Sequence, residues 1–254
     1  MHIARVPLVR NAVAELLYVE RATLGDSDYT VDEALQALRS PAHLCLGAYE
    51  GDALAGFVSC FETYTPTGAR LELDMLGVLP AQRHRGIATA LITRALEEAR
   101  TAGVSAARAV VREDNAASLA AFRRAGLPPR WLAAMMIWNP DGAPAPAALD
   151  PAPLTRTELA VRGKPYLGAT HWQNAHASAL ALPVSTLAYR GCWLEELAGD
   201  SPTARAALAT AVARATLHRP LDEVGLLVPS NLTADLALLS ELGWQDVGHY
   251  AVLG

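Results

Sequence analysis

One stretch constrains this chain more than any other, Leu71 to Leu96, LELDMLGVLPAQRHRGIATALITRAL. The apolar run ending at Val78 reads as a strand, Pro80 to Gly86 as a tight turn, and the residues from Arg85 onward as a long apolar-periodic helix. A strand that passes through a glycine-containing turn into a helix N-terminus points several backbone N–H groups the same way. The helix dipole favours negative charge there, so the arrangement suits a phosphate. Arg83 and Arg85 add formal positive charge at the same place. The chain carries neither GxxxxGK[ST] nor GxGxxG, which excludes the two commonest phosphate loops. What stands here is Arg83-x-x-Gly86-x-Ala88, preceded by Val78-x-Pro80.

With 254 residues the chain can bury a sizeable core in one or two domains. It is 52% apolar and 19% charged, a globular composition and not a disordered one. A net charge of −5 gives no bulk attraction for nucleic acid. Lys164 is the only lysine among 21 basic residues, which together with abundant alanine suggests a GC-rich bacterial source. Cys45, Cys60 and Cys192 are far apart and odd in number, so they predict no disulfide framework and a reducing cytoplasm. His171 and His176 are five apart and do not share a helix face, and no metal site is expected. Arg5 and Arg10 interrupt any signal-like apolar run, and no stretch is long enough to span a membrane.

Along the chain, His2 to Val6 reads as an edge strand and Asn11 to Leu24 as a helix. Thr30 with Glu33 is a capping box that opens a second helix, to about Arg39. His43 to Tyr49 and Ala53 to Glu62 flank Glu50-Gly51-Asp52 as a hairpin. The key strand runs from Arg70 to Val78 and its helix to about Ala102. A strand from Ala106 to Arg112, a helix from Ala116 to Ala125 and a strand from Trp131 to Trp138 complete the set. This order predicts an α+β fold with a mixed, mostly antiparallel sheet flanked by helices.

Pro140 to Pro153 holds five prolines and reads as a stiff linker. The expected division is therefore a domain over 1–140, a linker over 141–153 and a shorter domain over 154–254. The last part looks like a worn copy of the first. Arg85 lies 30 residues before Asn115, and Gly126 lies 11 after it; Pro202 lies 29 before Asn231, and Gly243 lies 12 after. Such matched spacing indicates an internal repeat. The copy lacks room for the first two helices, and its turn, Leu197 to Pro202, replaces the arginines with Asp200. A carboxylate there would repel pyrophosphate. The expected work of this copy is to extend the sheet, shape a cleft or form a homodimer.

The [Q/R]-x-x-G-x-[G/A] pattern in its strand–turn–helix setting, with this element order, resembles the GNAT superfamily of acetyl-CoA-dependent N-acetyltransferases. The likeness covers about residues 1–140, and the tandem layout loosely resembles mycothiol synthases. The resemblance implies transfer of an acetyl group from acetyl-CoA to a primary amine of a small-molecule or peptide acceptor, with direct attack in a ternary complex. It implies that backbone amides across Arg83, His84, Arg85, Gly86, Ile87 and Ala88 cradle the coenzyme A pyrophosphate. The pantetheine arm would run along Leu76, Gly77 and Val78 and meet Asn115, with Phe122 beside it. Asn115 reads equally as a plain helix N-cap.

For the base, the family places a glutamate eleven residues before the arginine of the loop, which is Glu72 here. Strict alternation puts Glu72, Asp74 and Leu76 on one face of the strand, so Asp74 competes for the role. For the acid, many members carry a tyrosine where this chain has Phe122, which has no proton to give. Ser118 or Tyr64 would then serve, or the thiolate leaves unaided. Phe122 also keeps open a second reading, a non-catalytic acyl-CoA sensor or scaffold.

Overall fold

The computed structural model describes residues 1–25, 29–138, 153–187, 189–216 and 223–254. The expected linker, 141–153, lies outside the described residues apart from Pro153. The described chain divides into two compact units.

The first unit takes residues 1–130 and, from far downstream, Thr186, Leu187, Tyr189 and Val252–Gly254. Its elements are β1 (His2–Arg5), α1 (Arg10–Leu24), α2 (Val31–Leu38), β2 (His43–Glu50), β3 (Ala53–Thr65), β4 (Gly68–Val78), a 3₁₀ turn (Pro80–Gln82), α3 (Ile87–Thr101), β5 (Ala106–Arg112) and α4 (Ala116–Arg124). The sheet order is β1-β2-β3-β4-β5, antiparallel except for the parallel β4–β5 pair. Local chemistry accounts for these elements. Thr30 and Glu33 form the reciprocal capping box that starts α2. Two continuous apolar runs flank Gly51-Asp52, and Glu50 pairs with Ala53 to close the β2–β3 hairpin. In α3, Ile87, Leu91, Ile92, Ala95, Leu96 and Ala99 recur at helical spacing and are all buried. Val13, Leu16 and Leu17 of α1 pack with Phe57 and Met75 on the sheet. Close packing there makes Leu16→Ala worth about 2–5 kcal/mol.

The second unit takes the described residues of 131–185 and 190–251. It contains most of β6 (Pro129–Trp138), then β7 (Thr155–Val161), β8 (Lys164–Gln173), β9 (Ala177–Ser185), β10 (Arg190–Gly199), α5 (Pro202–Thr216), β11 (Glu223–Pro229), α6 (Thr233–Glu241) and most of β12 (Trp244–Leu253). Its strands follow the order β12-β6-β11-β10-β9-β8-β7. β6, encoded with the first half, pairs antiparallel with β11, with Trp138 opposite Val224 and Ala133 opposite Pro229. No helix stands between β7 and β8, as the missing room at the start of the copy predicted.

The repeat holds in detail. From α3 to β6 the element lengths are 15, 7, 9 and 10 residues, and from α5 to β12 they are again 15, 7, 9 and 10. One alignment shifts. Asn115 is the N-cap of α4, whereas the N-cap of α6 is Leu232, one residue past Asn231, with no side-chain cap.

Candidate functional site

The spine of the site is β4. It pairs with β3 as far as Val78, opposite Gly56. Its parallel ladder with β5 holds four pairs only, from Arg70 opposite Ala106 to Leu73 opposite Ala109. Both strands run on, to Val78 and Arg112, so beyond Leu73 the ladder stops while the strands continue. Leu76, Gly77 and Val78 therefore present one edge of backbone outside that ladder, where an extended chain can hydrogen-bond as an added strand.

The departure begins at a bulge. Ser59 pairs with Met75 and Cys60 with Leu73, so Asp74 is one residue too many on β4. This corrects the strict alternation expected from the sequence. Met75 packs with Phe57 and Leu16 on the α1 side, instead of sharing a face with Leu73, because the extra residue resets the two-residue period. Gly77 is demanded by α1: a Cβ there would sit 2.3 Å from the Thr23 hydroxyl and 2.8 Å from the Phe57 ring.

After Val78 the chain turns through the 3₁₀ segment into α3. His84 has φ 63 and Gly86, the N-cap of α3, has φ 78. No side chain caps α3. Its first internal bond runs from Ala90 N–H to Gly86 C=O, so the N–H groups of Ile87, Ala88 and Thr89 have no acceptor within the helix. A Cβ on Gly86 would meet nothing within 4 Å, so the approach is open. Ile87 itself points into the core and Ala88 is half-buried. The arginines are less idle than the sequence suggested. Arg83 Nε donates to Val78 C=O at 3.1 Å, bracing the turn against the strand end. Arg85 donates to Gln82 and, at 3.0 Å, to Glu50.

At the start of α4, Asn115 Oδ1 accepts from Ser118 N–H at 3.1 Å. Its amide remains chemically able to donate. Ser118 is half-buried in the first turn of α4. Phe122 is only 3% exposed and is part of the core, not an open wall. Tyr64 pairs with Ala69 at the opposite end of the β3–β4 hairpin. Seven residues separate Ala69 from Leu76, about 20 Å of strand, which removes Tyr64 from reach of the open edge.

The two carboxyls considered for the base differ sharply. Glu72 is 6% exposed, and both its oxygens are held: Arg70 Nε donates to Oε1 at 2.6 Å and Arg108 Nε to Oε2 at 2.8 Å. Arg108 is also its register partner on β5. Two guanidiniums hold this carboxylate in its charged form and make it a weaker proton acceptor. Asp74 is half-buried, and its Oδ2 is shut from solvent without a hydrogen-bond partner. Burial pushes the Asp74 carboxyl up to about 6; a hydrogen bond from Thr186 pulls it down, and the neighbouring Glu72 adds to the rise. Arg108 and Thr186 carried no signal in the sequence, since neither lies in a motif. Among the described residues no cluster of His, Cys, Asp and Glu could hold a metal, and no helix is long and apolar enough to cross a membrane.

Residues 11–127 match the model of the acetyltransferase (GNAT) family. The match lies within the first unit and leaves the second half of the chain outside it. GNAT proteins use acetyl-CoA as co-substrate. The open β4 edge and the uncapped α3 start both lie within the matched residues. No curated protein matches its sequence. Among solved structures, a GCN5-related N-acetyltransferase from Sphaerobacter thermophilus is similar with TM-score 0.61 at 15% identity, covering 99% of this chain and 94% of that one. A tandem GNAT protein from the clavulanic acid biosynthesis pathway is similar with TM-score 0.52 at 15% identity, covering 99% and 98%. At that identity the likeness is one of fold, and it extends over both halves of the chain.

Proposed function

We propose that this chain transfers an acetyl group from acetyl-CoA to a primary amine of a small-molecule or peptide acceptor, in a ternary complex, with the first half as the working domain. The observation that carries this reading is the ladder that ends at Leu73 and Ala109 while β4 runs on toward an uncapped helix start. The backbone of Leu76 to Val78 would pair with the pantetheine arm and offer an N–H to the thioester oxygen as charge develops on it. The amides of Ile87, Ala88 and Thr89, with Gly86 and His84 shaping the turn, would hold the pyrophosphate.

Asp74, not Glu72, is the base in this reading. Its Oδ2 is the unpartnered oxygen, and a carboxyl titrating near 6 is ionised at neutral pH yet basic enough to take a proton from the attacking amine. Glu72 becomes part of the brace that ties β4 to β5. The C–N bond forms as the C–S bond breaks, Asp74 receives the amine proton, and Ser118, the hydroxyl that α4 carries, would donate a hydrogen bond to the departing thiolate, which takes up a proton from water. Cys45, Cys60 and Cys192 are buried and form no disulfide among the described residues, which suits a reducing cytoplasm. The test is the melting temperature with saturating acetyl-CoA. At about a hundred times the dissociation constant the gain is roughly 2.7 kcal/mol, and Gly86→Glu, which puts a charged side chain at a φ of 78 in the open approach, should remove it. An unchanged gain in Gly86→Glu would take the loop out of the reading. Phe122 favours a second reading, an acyl-CoA sensor, which predicts the same thermal gain with no thiol release against any amine.

A further inference from the structure

We propose that the free edge of β7 is a homodimer interface, in which two copies of the chain pair antiparallel about Thr157 and Arg156 of each meets the partner's Glu158. The coenzyme site plays no part in it.

In the second unit β7 pairs with β8, and among the described residues no strand lies beyond it. Thr155, Arg156, Thr157 and Glu158 are all exposed. Such an edge leaves a row of backbone N–H and C=O groups open to another strand, and proteins shorten it, blunt it or cover it. In the first unit the end strand β1 is short, with 4 residues, and its Arg5 is held by Glu98. β7 has 7 residues and is rich in Thr, Leu and Val, which suit a ladder. What blunts it lies at its ends. Pro153, with no N–H to give, precedes it, and its register with β8 shifts between Ala160 and Val161. The stretch between, Leu154 to Ala160, has Thr157 at its middle.

The charges select one register. A two-fold axis perpendicular to the sheet keeps each residue opposite one whose side chain shares its face. With the axis at Thr157, Arg156 stands opposite the partner's Glu158, and Thr155 opposite the partner's Leu159. An axis at Glu158 would set two carboxylates against each other, and an axis at Arg156 two guanidiniums. Within one chain Arg156 Nη2 already donates to Glu158 Oε1 at 2.6 Å, so the dimer sets two charges of each sign alternately around its axis. Arg156 is also ordered beforehand. Its guanidinium lies 5.8 Å from the centre of the Trp172 ring, and Trp172 is its register partner on β8, buried in the core of the unit. A side chain held in place before association loses less freedom on pairing. On the other face Thr157 meets the partner's Thr157, a favourable cross-strand pair.

Sedimentation velocity of the full chain is the test, over about 1–200 µM, the range a small interface requires. The parent should pass from monomer to dimer. Arg156→Glu and Glu158→Arg each set like charges against each other across the axis, and each alone should weaken dimerisation by about tenfold or more. Mixed in equal amounts, the two variants complement one another: one copy presents two carboxylates and the other two guanidiniums. The dimer should then return as the mixed species. The pair within each chain stays broken in both variants, so it cannot supply that recovery. Cross-linking reads the register. Cys45, Cys60 and Cys192 are buried, which leaves an added thiol to react alone. Thr157→Cys faces itself and should form an intermolecular disulfide with oxidised glutathione. Thr155→Cys lies about 13 Å along the strand from its own copy and should not. A monomer at every concentration, a mixture that stays monomeric, or a dimer that neither single variant weakens overturns the proposal. Equal cross-linking of Thr155→Cys and Thr157→Cys overturns the pairing about Thr157.

Discussion

The two halves of this chain build the same frame and furnish it differently. In each, a parallel ladder holds four residue pairs, Arg70–Leu73 with Ala106–Ala109 and Gly191–Leu194 with Glu223–Leu226, and then the first strand departs from regular pairing. In β4 the irregularity is Asp74; in β10 it lies between Glu195 and Ala198, where Glu196 adopts φ 52. At the third rung the first half has Glu72 opposite Arg108, a buried ion pair. The second has Trp193 opposite Gly225, with the indole so close that a Cβ on Gly225 would lie 3.0 Å from it. At the helix starts the contrast is sharper. Counting from the first residue of each helix, Ala90 of α3 corresponds to Arg205 of α5, and Ser118 of α4 to Asp235 of α6. Arg205 grips Asp235 with two bonds of 2.6 and 2.8 Å and also reaches Gly199 C=O at 3.0 Å. The lesson is that a shared frame does not carry a shared site. Small residues leave the helix starts of the first half open to an anion, while an ion pair occupies the corresponding positions of the second. Asp200, the acid singled out in the sequence, is exposed and faces His176; Asp235 was not visible as a partner until the helices were placed.

Breaking the first half at its base should have the largest effect. Asp74→Asn is expected to lower turnover by about 10²–10⁴-fold while the thermal gain from acetyl-CoA survives; thiol-release kinetics beside a thermal melt would show it. Next, Arg205→Ala leaves the Asp235 carboxylate, only 3% exposed, without its partner. Urea unfolding should reveal a loss of about 3–5 kcal/mol, with much of it recovered in Arg205→Ala/Asp235→Ala. No change in acetyl-CoA binding is expected, and if binding weakened, the division of labour between halves would be wrong.

A pH-dependent effect follows from Asp74. Its folded value, about 6, lies above its ordinary 3.8, so the fold favours the neutral form. That contribution is full below about pH 4 and is lost as pH rises through 6. Two units correspond to about 3 kcal/mol at most. Asp74→Asn should therefore be more stable than the parent at about pH 8 and no more stable at about pH 4, as melts at the two pH values would register. Smallest, Asn115→Ala removes the α4 cap and should cost about 1 kcal/mol. No cap equivalent to it exists at Leu232. A further drop in acetyl-CoA affinity in this variant, beyond the stability change, would show that Asn115 also contacts the coenzyme.

Much of the frame was determined by sequence alone. The capping box at Thr30, the hairpin at Gly51, the turn into α3 and the glycines after α3 and α4 are contacts within a few residues, which composition and periodicity read directly. The repeat was legible for the same reason, since spacing survives when side chains do not. Tertiary structure decided the rest. An inserted residue such as Asp74 leaves no mark on a two-residue period, so the faces of β4 could be read only from its register with β3. Glu72 reads as a lone carboxylate until Arg108 arrives from the next strand and pairs with it. β6 reads as the last strand of the first half, yet its ladder partner is β11. Thr186 lies in the other half of the chain, and only packing brings its turn into the first unit. Which carboxyl is clamped and which is left with a bare oxygen depends on desolvation and on donors supplied across long sequence distances, and local sequence encodes neither.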